Sequence, residues 1–478
     1  MPIFNVGAAG GTTSEEASYN ITNSLMLDGG SSTYLNRTPG STGNRRTFTL
    51  SFWVKRTLLA GGTKLFQQRT SSSPGQQQFS ISWRANGIRV LDQDFDNELL
   101  YDTTAFFRDT SAWYHIVVAV DTTNGTAADR AKLYVNNNRI TSFTSPVYYD
   151  QNYDTSVNTT DRQLIGVQMP NSSTTLNSHL DAYLSEFVMI DGQQLTPTSF
   201  GKVDSASGIW KPIDVSELTF GTNGFYLNFE NSSNLGNDAN GGTDFTSNNI
   251  SSINQSLDTP TNNYCTLNPL FRNQTRTNQT NYSIGNTKGA GIGDAMAEGS
   301  MLVYGGKWYY EATTLGDTMF GWGQAGKWPG DAPGQSFTDT GSGVGLHSNG
   351  RILYKAAYIT GASESFNSGT NTVMIAIDFD NQKFYHGKNG NWAHSMNPAG
   401  NSGGEGLDST FWDGVRHGWV PAFRISNGAS DYSQVNFGNP LKSISSGNAD
   451  DNSHGNFEYD VPAGFYALNT KNLAEHGG

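Results

Sequence analysis

Short stretches of strict two-residue alternation constrain this chain more than any other feature. Phe48, Leu50, Phe52 and Val54 alternate with Thr49, Ser51, Trp53 and Lys55. Successive side chains of a strand point to opposite faces, so this segment reads as a half-buried β-strand. Phe79-Ser80-Ile81-Ser82-Trp83-Arg84 repeats the pattern and runs into Asn86-Gly87, a hairpin dipeptide. Trp113 to Asp121 is apolar on both faces and is expected at the centre of a sandwich. Long amphipathic helical periodicity is scarce. The fold class is therefore all-β.

At 478 residues the chain exceeds one ordinary domain, so two are expected, each large enough to bury a core. Charged residues are only 15%, aromatics reach 12% and glycines number 55, which fits short strands joined by many turns. The net charge of −13 argues against a nucleic-acid partner, since phosphate neutralisation needs clustered Lys and Arg. It reads as a source of solubility. Cys265 is the single cysteine, which excludes an intrachain disulfide. The stretch Met1 to Gly11 has no basic region and no long apolar core, so it is not expected to be a signal peptide. No run approaches the roughly 18 apolar residues of a membrane span, so no membrane insertion is expected.

Along the chain, residues 1–20 read as an extended arm. Residues 21–212 carry the first set of strand patterns, among them the hairpin Lys132 to Ile140 and the apolar strand Leu180 to Gly192. Residues 213–281 are rich in Asn, Ser and Thr and read as an irregular connector, although Phe225, Leu227 and Phe229 alternate and Phe245, Ile250 and Leu257 need burial. Residues 282–470 form the second set, and 471–478 a tail. In that second set Gly305-Gly306 leads into the aromatic strand Lys307-Trp308-Tyr309-Tyr310-Glu311, and Met319-Phe320-Gly321-Trp322-Gly323 follows. Thr372 to Tyr385 reads strand, Asp-Asn turn, strand, and Asn389-Gly390 marks another hairpin.

The order "FTLSFWVK", "WYHIVVAVD", "KLYVNNNRI" and "LDAYLSEFVMIDGQQLTPTSF" resembles a laminin-G or concanavalin-A-like lectin domain. The hairpin lacks that family's usual glycine, which Asn137 or Asn138 would replace in left-handed backbone. The later series "GKWYYEA", "FGWG", "GVGLHSNG", "VMIAIDFDNQKFYHGKNGNW" and "VPAF…VNFG" resembles a SPRY domain. The resemblances imply two antiparallel sandwiches, a concanavalin-A-like jelly roll and then a SPRY-type sandwich, that bind partners through loops. The two together, with the Met1 to Gly11 arm, resemble fibre, knob or capsid-decorating proteins of bacteriophages. That likeness implies a non-enzymatic virion protein made in the host cytoplasm. Its partners would be other virion proteins at the arm and a host-surface glycan or protein, and it would be a homo-oligomer. A purely structural decoration or cement protein, or a glycan-cleaving enzyme on the lectin-like fold, are the alternatives.

For that enzyme, Asp181, Glu186 and Asp191 would have to supply paired carboxylates flanking a glycosidic bond. Strand alternation instead puts Glu186 opposite the other two, so structural acids are expected. No cofactor is required, but calcium suits the rims of such sandwiches, and Asp92, Asp94, Asp96 and Asp102 are its candidate ligands by clustering, the first three at Asp-X-Asp-X-Asp spacing. The EF-hand pattern they begin is not completed. His115, in mid-strand, is expected to be a core or edge histidine, and Cys265 an inert buried thiol. Trp328, in a loop beside Pro329, and Tyr148, Tyr149 and Tyr153, among Asp150 and Asp154, are the candidate binding residues. Aromatic rings beside carboxylates and amides suit sugar stacking or protein interfaces.

Overall fold

The computed structural model describes residues 19–477 except 60, 71–76, 95, 171–174, 272–279, 292–294, 328–336, 362–364, 414–416, 426–427 and 429–430. The described chain is almost all β, in two antiparallel sandwiches.

The alternation at 48–55 becomes the strand Thr47–Arg56, which lies between Tyr114–Asp121 and Ala182–Asp191 in the first sheet. Its Phe48, Leu50, Phe52 and Val54 enter the core, as the period demands. Gln78–Trp83 does the same in the second sheet, where it pairs with Lys64–Arg69 and Ile88–Asp94. The Lys132 to Ile140 hairpin turns tightly at Asn136 and Asn137, with φ of 47° and 65°. The glycine substitute is thus this pair and not Asn138, because two left-handed residues match the twist of a two-residue hairpin.

Within the stretch 213–281, expected as a connector, residues 225–256 are part of the first sandwich, while Cys265 and Leu267 pack into the core of the second. Phe225–Leu227 pairs with Ala182–Asp191, Thr246–Asn248 with Tyr34–Arg37, and Gln255–Ser256 with Ser24–Leu27. Phe225, Leu227, Phe229 and Phe245 join its core. The apolar residues noted above outweigh the loop-like composition.

In the second sandwich Lys307–Leu315 lies between Ser368–Asp378 and Tyr432–Asn436, and Thr318–Gln324 between Gly343–His347 and Trp419–Ile425. Trp308, Tyr310, Phe320 and Trp322 meet in the core between the two sheets. Gly321 is required there: a Cβ would lie 1.8 Å from the Val344 carbonyl oxygen. The tail expected at 471–478 is mostly the helix Thr470–His476, capped by the Asn469 side chain on Asn472 N–H.

The sandwiches share a buried seam. Lys55 Nζ contacts Asp258 Oδ2 at 2.7 Å and Asn263 Oδ1 at 2.7 Å, and Trp113 Nε1 donates to Asp258 Oδ1 at 2.9 Å. Tyr183 Oη donates to the Gly285 carbonyl at 2.7 Å, and Asn286 Nδ2 to the Thr57 carbonyl at 2.8 Å. Leu441 packs on Met26 and Tyr183.

Candidate functional site

The four tyrosine and tryptophan candidates fare differently. Trp328 lies outside the described residues. Tyr149 is buried: its hydroxyl donates to Asp92 Oδ2 at 2.8 Å, and its ring stacks on half-buried Tyr153 at 5.5 Å. Tyr148 is exposed and meets the edge of Tyr101. The structure therefore brings these tyrosines together as a packed rim, with Tyr148 alone offering a free face.

Asp92, Asp94 and Asp96 do not come together as a ligand set. Asp92 points inward, fully buried, and accepts from Tyr149 Oη and from Ser156 N–H at 3.1 Å. Burial pushes its carboxyl up to about 6. Asp94 accepts from Gln77 Nε2 at 2.8 Å, and Asp96 is exposed at the hairpin end. A bulge between Asp92 and Gln93 breaks the spacing on which the candidate site depended. Calcium needs six to eight converging oxygens. Among the described residues no group of three or more His, Cys, Asp or Glu side chains could hold a metal, so these residues do not fit the ion.

The three carboxylates weighed for glycan cleavage are engaged separately. Asp181 accepts from Gly29 N–H at 2.9 Å. Asp191 accepts from Asn44 N–H, Asn223 N–H and Asn158 Nδ2 within 3.0 Å. Glu186 accepts from Tyr226 Oη at 2.6 Å and Tyr19 Oη at 3.1 Å, away from the core. His115 is a core histidine. The indole N–H of Trp210 donates to its Nδ1 at 3.0 Å, so Nε2 carries the proton and donates to Ser51 Oγ at 2.8 Å. Burial pulls its ring down to about 3 and pushes the Cys265 thiol up to about 12, leaving both inert.

The outer face of the second sheet holds a group that the sequence reading missed. Cross-strand register aligns Lys64, Ser82, Arg89 and Asp102 in one row over four strands. Lys64 is 8% exposed, its ammonium donates to Ser80 Oγ at 3.1 Å, and among the described residues it has no ion pair. Burial, then the charges of Arg89, Arg84 and Arg69, pull it down to about 8. Arg89 forms a two-bond pair with Asp102, the one carboxylate of the row. Beside it, Gln67 Nε2 donates to Gln78 Oε1 at 2.9 Å and Gln78 Nε2 to Gln93 Oε1 at 3.0 Å, an amide ladder. The row opens to solvent at Arg84, whose side chain is 51% exposed. The alternation of Gln78, Ser80 and Ser82 marked this as the polar face, but only the strand pairing shows which cations share it.

Residues 28–199 match the family model described as the concanavalin A-like lectin/glucanases superfamily, of laminin G type. The first sandwich is thus a concanavalin A-like fold. A search of the curated proteins finds no match. Among solved structures, the chain is similar to a putative carbohydrate binding protein from Bacteroides ovatus, with 15% identity over 48% of this chain and 59% of that one, at a TM-score of 0.34. It is similar to domains LG4-5 of the mouse laminin alpha1 chain, with 10% identity over 90% and 87% at a TM-score of 0.29. It is also similar to the SPRY domain of human HERC1, with 15% identity over 31% and 82% at a TM-score of 0.23.

Proposed function

We propose that this chain is a non-catalytic recognition protein whose first sandwich binds an acidic glycan on the outer face of its second sheet. One observation carries the reading: Lys64 is an almost buried ammonium with a hydroxyl partner and, among the described residues, no counter-ion, in a chain of net charge −13. Burying a charge unpaired is costly. A carboxylate or sulfate on a sugar would pair with it and with Arg84, while sugar hydroxyls would meet the amide ladder and Ser82. The absence of catalysis is supported by the separate structural engagement of Asp181, Glu186 and Asp191.

The test is retention on immobilised polygalacturonate and heparin, with dextran as the neutral control. The expected result is salt-sensitive retention on at least one acidic polymer, none on dextran, and a loss of about tenfold or more with Lys64→Gln. Equal retention of the Lys64→Gln protein overturns the reading.

We further propose a bacteriophage particle as the setting, with the Met1 to Gly11 arm as the attachment to other virion proteins and oligomerisation on the particle. The support is the resemblance of the arm and the paired sandwiches to fibre and decoration proteins. Mass spectrometry of gradient-purified particles checks it; absence of the chain from particles rejects it.

A further inference from the structure

The seam between the sandwiches brings together three groups that can react with one another. The alternation that sends Phe52 and Val54 into the core turns Lys55 to the opposite face of the first sheet, where it stands across from Tyr183. There Lys55 is fully buried, and its ammonium has three oxygen partners. These are Asp258 Oδ2 at 2.7 Å, Asn263 Oδ1 at 2.7 Å and the Tyr264 carbonyl at 3.4 Å. Asp258, also fully buried, is held in place by the Trp113 indole N–H on Oδ1 at 2.9 Å, which leaves Oδ2 to Lys55. Asn263 is fixed on both sides of its side chain. Its backbone N–H donates to Thr470 Oγ1 at 3.0 Å and its carbonyl accepts from Thr470 N–H at 2.9 Å. Its Nδ2 donates to the Ser111 carbonyl at 2.7 Å, so that Oδ1 faces Lys55.

An amine, a carboxamide and a carboxyl in mutual contact are the parts of an amide exchange. In water two things keep a lysine from attacking an asparagine: the amine is protonated, and the two groups are not held together. The seam removes both obstacles. Taking a separated ammonium and carboxylate out of water is costly, which favours passing a proton from Nζ to Asp258 Oδ2 across the 2.7 Å contact. Burial raises the Asp258 carboxyl, in the same direction. The amine then has a free electron pair against the carboxamide, whose carbon is one bond beyond the Oδ1 that Nζ already touches. Fixed contact of this kind makes a slow bimolecular step an intramolecular one.

We propose that Lys55 and Asn263 join in an intramolecular isopeptide bond, with Asp258 as the acid–base catalyst. Lys55 Nζ attacks Asn263 Cγ, and the carbonyl electron pair moves onto Oδ1. Asp258 Oδ2 delivers its proton to Nδ2 and takes another from Nζ, since both nitrogens are bonded to the same carbon in the adduct. The carbonyl re-forms, the Cγ–Nδ2 bond breaks and ammonia leaves. Of the three protons of the original ammonium, one departs with the ammonia, one stays on the new amide and one remains on Asp258. One amide replaces another, so no oxidant, reductant or further reactant is needed. The bond joins residues 208 apart in the chain and ties the first sheet to a residue paired with the start of the helix Thr470–His476. It shares no residue with the Lys64 face and stands or falls separately from it.

Mass spectrometry of the purified full chain tests this, on the intact protein and on its tryptic fragments. The expected intact mass is lower than that of the unreacted chain by one ammonia, and the digest is expected to contain a branched fragment carrying both Lys55 and Asn263. Lys55→Arg, which keeps the charge, and Asn263→Ala, which removes the amide, are each expected to abolish that fragment. Asp258→Asn keeps both reacting groups and is expected to reduce the branched fragment at least about tenfold in its folded fraction, whereas Asp258→Glu retains it. A parent chain of full mass with no branched fragment overturns the proposal and leaves an ion pair only; this measurement needs no variant to fold. Loss of ammonia without a fragment joining these two residues overturns it too. Undiminished branching in the Asp258→Asn chain overturns the role given to Asp258.

Discussion

Glu186 shows how one residue can set a local pH response. It has left-handed backbone, φ 48°, where the strand Ala182–Asp191 slips register between Ser185 and Val188. The bulge keeps Leu184 and Phe187 in the core while Glu186 faces Tyr226. Burial raises its carboxyl from 4.5 to about 7 despite the two tyrosine hydroxyls. The folded chain therefore holds this proton up to about pH 7, whereas the unfolded chain releases it near 4.5. The associated stability is fully present below about 4.5 and is lost as pH rises through about 7, a total of about 3 kcal/mol. Glu186→Gln is expected to flatten that slope, which urea denaturation at about pH 5 and about pH 8 measures. At Asn137, with φ 65°, substitution by Ala is expected to cost about 1 kcal/mol while Gly is tolerated, as thermal melts will show.

Among the elements, the segment from Phe143 to Ser156 behaves as a strap along one end of the first sandwich. Phe143 and Val147 bridge to Thr103 and Leu100, Phe143 stacks on Tyr101, and Tyr149 and Ser156 close over Asp92. Here Tyr149 and Asp92, two of the residues singled out as candidates, hold the strap down. Tyr149→Phe removes one donor from a buried carboxyl and is expected to cost about 1–3 kcal/mol in chemical denaturation. Added calcium is expected to leave the melting temperature of the parent protein unchanged. A calcium-dependent rise that Asp92→Asn abolishes would restore the metal site.

For the whole molecule, the seam decides whether the two sandwiches act as one body. Lys55 and Asp258 are both fully buried, Trp113 donates to Asp258, and Lys55 also bonds Asn263, next to the Tyr264 that bridges to Asn469 of the second sandwich. Burial raises the Asp258 carboxyl even though the Lys55 ammonium pulls it back. Removing one member of a buried pair leaves the other uncompensated, so Asp258→Ala is expected to cost about 3–5 kcal/mol. Calorimetry of the parent protein is expected to show one cooperative transition. Two separate transitions, with the lower one alone moved by Asp258→Ala, would show that the sandwiches unfold independently.

Alternation and turn chemistry by themselves determined that the chain is all-β and which strands lie in the cores, while the order of two sandwiches was implied by the resemblance of the motif series. Those signals are local: a period of two residues, a left-handed dipeptide, an apolar run. Tertiary structure alone decided which strands sit side by side, and hence that residues 225–256 complete the first sandwich. It also decided that Asp92 turns inward, that Lys64 shares a row with Arg89, and that Lys55 meets Asp258 and Asn263. Each of these depends on register, bulges or contacts between residues distant in sequence. A one-residue slip reverses the face a side chain occupies, so which side chains share a face became legible only when the strands were paired.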